Sequence, residues 1–246
     1  MAEVSLYQKV RALNKNRHCD WYVEPVNGYD FARNTNSCFL MTAEFVKAVH
    51  EYPIVFVKHE DKLFTVAVLG FRDRENLFVS DDGEWRANYV PAYIRRYPFI
   101  PASDGDGELT VCIDESFNGF NQEKIGENLF NEKGEPAPVL KSAIDFLKGF
   151  QGQSQMSLDF CKEIDSLDIL EPMSARVDLN SGETFSLSDF MVVSRARLRD
   201  LEPEQIKKLM ASGALESIYA HLFSINNFEK LMEMIAPEQN NIQPDK

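Results

Sequence analysis

Three strand-forming runs, at residues 54–58, 63–71 and 76–80, follow one another across four-residue links, and this spacing constrains the fold most. A parallel crossover needs about a dozen residues, so such links leave only antiparallel pairing. The charged turn at 59–62 joins the first pair, and Asp81-Asp82-Gly83 closes the set. The first half is therefore read as an antiparallel β meander.

Around it the pattern changes. Residues 1–40 are polar and read as loop with short strands. Thr42 is placed to cap a helix over 43–51, with Glu44 in its first turn and Phe45, Val46 and Val49 facing inward. Pro91 suits a first helical position and Pro98 blocks continuation, which predicts a two-turn helix over 91–97. Residues 109–114 read as a strand, and 138–150 and 158–170 as a helical pair with apolar residues at helical spacing. Asn180-Ser181-Gly182 marks a hairpin between 175–179 and 183–187, and 190–199 continues as a strand. A helix over 203–211 is ended by Gly213, and 215–235 is helical with a break at Asn226-Asn227. Grouped strands, a helical pair, a second β patch and C-terminal helices make an α+β fold. With no Gly- or Pro-rich linker, residues 1–235 are taken as one composite domain and 236–246 as a disordered tail.

The net charge of −13 is unevenly placed. Residues 1–100 carry 13 basic and 13 acidic side chains, and the remainder carries 13 basic against 26 acidic. A surplus of this sign repels phosphate backbones, so nucleic acid is not the expected partner. No apolar run reaches the roughly 20 residues that span a bilayer. The first thirteen residues lack the apolar stretch of a secretory signal, and the four cysteines include no Cys-x-x-Cys. These features predict a cytoplasmic protein with reduced thiols.

Chemistry-bearing motifs are few. Gly-x-Ser-x-Gly, the phosphate-binding Gly-Lys-Ser/Thr loop and Gly-x-Gly-x-x-Gly are absent. The four histidines are scattered and His59-Glu60-Asp61 reads as an exposed turn, so no metal site and no cofactor are expected. Asp104-Gly-Asp106-Gly-Glu108 starts like a calcium loop but has Leu109 where that loop needs glycine. Asp114-Glu115 could pair two carboxylates, although an acid pair after a strand is usually a turn. Arg195, Arg197 and Arg199 alternate as the solvated face of a strand would.

The densest feature is the run Asn-Tyr-Val-Pro-Ala-Tyr-Ile-Arg-Arg-Tyr-Pro-Phe-Ile-Pro at 88–101. On the predicted helix Tyr93 and Tyr97 share a face near Arg96, and Arg95 points about 100° away. Arginine beside tyrosine suits capture of a carboxylate or phosphate, cation–π contact, or a protein-binding hot spot. Equally, the rings could fill core while the arginines pair with the chain's own acids. Trp85, Tyr89, Tyr93, Arg95, Arg96 and Tyr97 are the candidate partner-binding residues; no catalytic residue is assigned.

The run at 89–99, with Trp85 before it, resembles the SapC family of bacterial proteins. So do Tyr-Pro-Ile-Val-Phe at 52–56, Asn-Leu-Phe at 76–78, Cys-Ile-Asp at 112–114, Gly-Glu-Asn-Leu-Phe at 126–130 and Tyr-Ala-His-Leu at 219–222. The resemblance implies a link to surface-layer or outer-membrane protein systems and a neighbourhood of tryptophan-halogenase-like genes, with no cofactor and no catalytic set. The expectation is a cytoplasmic, non-catalytic accessory protein that binds a partner protein or peptide. The alternative is an enzyme or small-molecule binder acting on an amino acid or peptide; a deep pocket beside the arginines would favour it, a flat ridge the partner. The sequence leaves the oligomeric state open.

Overall fold

The computed structural model describes residues 6–103, 109–178 and 184–235. The first half contains strands β1 (Val10–Ala12), β2 (Tyr22–Val23), β3 (Ser37–Phe39), β4 (Ile54–His59), β5 (Lys62–Val68), β6 (Phe99–Ser103) and β7 (Leu109–Asp114). Two short helices, α1 (Phe45–Ala48) and α2 (Ala92–Arg95), interrupt them. Strands β8 (Phe120–Asn121) and β9 (Glu127–Asn128) lead into the long helix α3 (Pro138–Ser166). Then come β10 (Leu170–Asp178), β11 (Thr184–Val193) and helices α4 (Arg195–Arg199), α5 (Pro203–Ser212), α6 (Ala214–Ser224) and α7 (Asn227–Ile235).

Every pairing among the described strands is antiparallel, and the fold is α+β. The sheets run β10-β11-β4-β5-β3, β1-β7-β6 and β8-β2-β9. The hairpin at 59–62 holds, with Glu60 and Asp61 both left-handed at the turn. Two expectations need correcting. Residues 76–80 form no strand, only a bridge between Val79 and Trp85. The reason lies in Asn76, whose side chain accepts from Phe78 N and donates to the Ala32 carbonyl, giving the backbone a turn in place of a ladder. The second β patch is also not separate: β11 docks on β4 through Met191 and Phe56 and extends the first sheet.

Three further expectations change. The pair over 138–150 and 158–170 is one continuous helix, α3. Its apolar stripe (Leu140, Leu147, Phe150, Phe160, Cys161, Ile164) does not break, and Gly149 and Gly152 sit on its exposed side where nothing approaches. Two helical glycines cost about 1 kcal/mol each against alanine, which burial of that stripe outweighs. The arginine run is helix α4, not a strand. Ser194 N donates to the Ile169 carbonyl at the ladder's end, Leu198 turns inward, and Arg197 Nη1 donates to the carbonyls of Asp168 and Leu170. The helix over 43–51 shrinks to a 3-10 turn (Thr42–Glu44) and α1, and Val46 faces solvent. Thr42 does not cap it. Its amide donates to Ser157 Oγ on α3, and the buried Glu44 carboxylate accepts from Met41 N instead. The calcium-like loop, the 180–182 turn and the tail lie outside the described residues.

The core is aromatic, with Phe45, Tyr52, Phe56, Phe78 and Phe190 fully buried between the large sheet and the helices. Helices α6 and α7 close it. Asn227 Nδ2 donates to the carbonyls of Val49 and Tyr52, and Lys230 pairs with Glu51 at 2.8 Å. Burial alone would raise the Glu51 carboxyl, but hydrogen bonds from Lys230 and Asn88 outweigh it and hold it below the usual range. At the β4–β11 junction Val193 faces Ile54, continuing the register set by Met191 and Phe56. The two do not bond directly. Val193 N donates to His221 Nε2 (3.0 Å) and His221 Nδ1 bonds the Ile54 carbonyl (2.6 Å), so an imidazole is inserted into the ladder. Ser224 Oγ accepts from Ile54 N, which completes that residue's backbone pairing.

Candidate functional site

Helix α2 is held in place from below. Glu44 Oε1 accepts from Ala92 N and from the Tyr89 hydroxyl, each at 2.7 Å, and burial followed by that carboxylate pushes the Tyr89 phenol up to about 12. The Tyr52 hydroxyl donates to the Tyr89 carbonyl and accepts from Trp85 Nε1. After α2 the chain turns through a cis Tyr97–Pro98 bond into β6.

The six candidate residues divide. Trp85 stacks on Phe78 and meets Tyr29 edge-on, so it belongs to the core. Tyr97 stacks face to face on Phe31 (4.0 Å between centroids) and edge-on with Phe117, and burial raises its phenol to about 12. Tyr89 underlies Arg95. The expected shared face of Tyr93 and Tyr97 does not form, because α2 ends at Arg95 and Tyr97 lies in the turn beyond. Tyr93, Arg95, Arg96 and one side of Tyr97 line two clefts.

Both guanidinium groups reach across to α3. Arg95 lies 5.3 Å from the Phe146 ring centre and donates from Nε to the Val90 carbonyl. Arg96 lies over Tyr93 (4.1 Å) and Phe150 (4.8 Å) and donates from Nε to the Tyr7 hydroxyl. The alternative that the chain's own acids neutralise them fails: among the described residues neither arginine forms a salt bridge. A cation held against rings, with no described acid paired to it, attracts an anion strongly.

Arg96, with Arg95 beside it on one side, forms a partition. On one side is a cleft of about 300 Å³, walled by the 23–26 loop, Pro98, Phe99 and the α3 residues Val139, Ala143 and Phe146. On the other is a cleft of about 430 Å³ between α3 and strands β3, β4 and β5 of the large sheet, with Phe39, Val57, Phe64 and Val66 facing Phe150, Ser154 and Leu158. Arg96 lines both. Ser154 Oγ in the larger cleft is buried without a hydrogen-bond partner, the single such side-chain atom among the described residues. The thiol of Cys38 in the same wall is raised by burial, then by Glu44. Sequence reasoning missed most of these residues. The α3 spacing 139, 143, 146, 150, 154, 158 was the available signal, and it was obscured by reading two helices.

The other chemical candidates are occupied by the fold. Asp114 is fully buried and accepts from Gln8 N, Lys9 N, Ser116 N and Ser116 Oγ. Burial would raise its carboxyl, but these bonds prevail and lower it. Glu115 is ringed by Lys9, Arg17 and His18, which likewise outweigh burial and hold its carboxyl low. Among the described residues no cluster of three His, Cys, Asp or Glu is arranged to hold a metal ion, and no helix is long and apolar enough to cross a membrane.

A scan against protein-family models matches SapC over residues 13–231. Searches of curated proteins and of solved structures return no match.

Proposed function

The chain belongs to the SapC family, and from that premise we propose that it is a non-catalytic accessory protein that binds a segment of a partner protein across the Arg95–Arg96 partition. One observation carries the reading: Arg96, with Arg95 beside it and neither paired with any described acid, separates two largely apolar clefts along α3. Clefts on both sides of a charge suit an elongated ligand better than a compact substrate. The acids that the sequence offered for catalysis are tied to the chain's own backbone and cations. Four free cysteines, three of them buried, support a cytoplasmic setting, and the overall negative charge argues against nucleic acid. The link to surface-layer or outer-membrane protein systems rests on the family resemblance.

Affinity capture from the native cell tests this. The Arg95→Ala/Arg96→Ala protein should lose the partner that the parent retains, with a melting temperature lowered by only a few degrees. Retention of the same partner by the double variant would sink the proposal. The larger cleft lies within the roughly 300–1,000 Å³ of small-ligand sites, which favours the small-molecule alternative. A low-molecular-weight compound co-purifying in place of a protein would establish that alternative.

A further inference from the structure

The partition also specifies what kind of segment fits, an inference that rests on the partner-binding reading. Ala143 and Ser154 mark the middles of the two cleft walls on α3. They are eleven residues apart on one helix, hence about 16 Å. In an extended chain residues i, i+2 and i+4 point to one side, and i and i+4 stand about 13 Å apart, within a few ångströms of that spacing. Three features therefore line up along the groove: an apolar cleft, a pair of cations, and a second apolar cleft.

We infer that the site recognises an extended protein segment of the pattern apolar–x–acid–x–apolar. The acid sits on Arg95 and Arg96, whose Nη groups donate to no acceptor among the described residues except the Tyr89 hydroxyl at 3.4 Å. One apolar side chain enters the smaller cleft beside Ala143 and Phe146, and the other enters the larger cleft between Phe64 and Phe150. Ser154 lines the larger cleft with its Oγ turned inward and unpartnered, and a rotation of that side chain would bring a hydrogen bond to the segment's backbone. Glu24 and Glu127 line the smaller cleft and repel a second acid there, which keeps the single acid in register with the partition. Charge complementarity selects a protein segment over a bare apolar one. The same groups also place its acid internally, with apolar residues on both sides, where a fatty acid carries its carboxylate at one end.

The test uses the full chain and a fluorescein-labelled peptide, Ser-Leu-Ser-Glu-Ser-Leu-Ser amide, read by anisotropy. The peptide with Gln in place of Glu should bind at least about tenfold more weakly, the usual loss for a charge-assisted hydrogen bond. Replacing either Leu with Ser, or moving both next to the Glu, should weaken binding further. Arg96→Gln should erase the Glu-over-Gln preference, and Ser154→Phe should fill the larger cleft and make one Leu dispensable. Should Arg96→Gln fail to fold, Arg95→Gln and the peptide series alone still decide. Equal binding of the Glu and Gln peptides, no binding up to millimolar concentration, or an unchanged preference in Arg96→Gln would overturn the inference. Displacement by sodium dodecanoate with no dependence on peptide sequence would overturn it in favour of a lipid-like acid. If native-partner capture depends on the arginines while the Glu/Gln pair does not differ, only the motif falls. If capture ignores the arginines, the partner-binding reading falls too.

Discussion

His221 Nδ1 lies 2.6 Å from the carbonyl oxygen of Ile54, and its other ring nitrogen accepts from the Val193 amide. That arrangement needs a neutral ring protonated at Nδ1, standing in the place of a direct strand–strand bond. Burial, which outweighs the bond to Ile54, lowers its pKa to about 4, with Arg195 adding a smaller push in the same direction. His221→Ala would leave two buried backbone groups unpaired and a void beside Phe56. The expected loss is about 2 to 5 kcal/mol in urea unfolding, and His221→Gln, which can both donate and accept, should recover part of it. Equal stability of His221→Ala and the parent would refute the clamp.

The same residue sets a pH dependence. The unfolded ring takes up a proton near pH 6.5 while the folded one resists until about 4. The unfolded state therefore binds more protons in that window, and stability, full above pH 6.5, declines as pH falls and levels off near 4. The total is about 3 kcal/mol. The lowered carboxyls of Glu51, Asp114 and Glu115 add their losses only below the ordinary carboxylate range, about pH 4. Unfolding midpoints between pH 7 and 4.5 should slope in the parent and flatten in His221→Gln; parallel curves would count against the assignment.

The two arginines should differ in structural cost. Arg95 is exposed, so Arg95→Ala should shift stability by less than about 0.5 kcal/mol. Arg96 packs on Tyr93 and Phe150 and bonds Tyr7, so Arg96→Ala should lose about 1 kcal/mol. A loss above about 3 kcal/mol for either would make it a core element and not a recognition residue.

Gly149 and Gly152 lie within α3 with nothing within 4 Å of an added methyl group. Each change to alanine should raise stability by about 0.5 to 1 kcal/mol through helix propensity and a less free unfolded chain. A decrease in thermal unfolding would mean that α3 is broken there, as the sequence first suggested.

Gly126 is the opposite case. It adopts φ +84°, and a methyl group there would stand 2.3 Å from the Val23 carbonyl oxygen. Gly126→Ala should cost about 2 to 3 kcal/mol and disturb the β8-β2-β9 sheet beside the smaller cleft; circular dichroism melting would read it.

The contrast between these glycines shows where sequence reading succeeds and stops. The β4–β5 hairpin was legible because its link is short, and β7 because it is a local run of apolar and β-branched residues. The arginine–tyrosine density at 93–96 was legible for the same reason. The continuity of α3 was not, because two glycines carry the local signal while Ser157, Phe160 and Phe150 obtain their partners from the sheet and the Thr42 turn. Nor could the clefts be seen, since Phe39, Phe64 and Ser154 come from three elements brought together only by packing. Trp85 looked like a surface ring because its partners, Tyr52 and Phe78, are distant or masked by a turn.

The closing contacts of α6 and α7 bear on how the chain is made. Ile54 has its amide and carbonyl satisfied from Ser224 and His221, some 170 positions later. Contacts of such separation slow folding. During synthesis the amide and carbonyl of Ile54 at the heart of the largest sheet stay without these partners until the residues beyond 220 leave the ribosome, so that sheet is completed last.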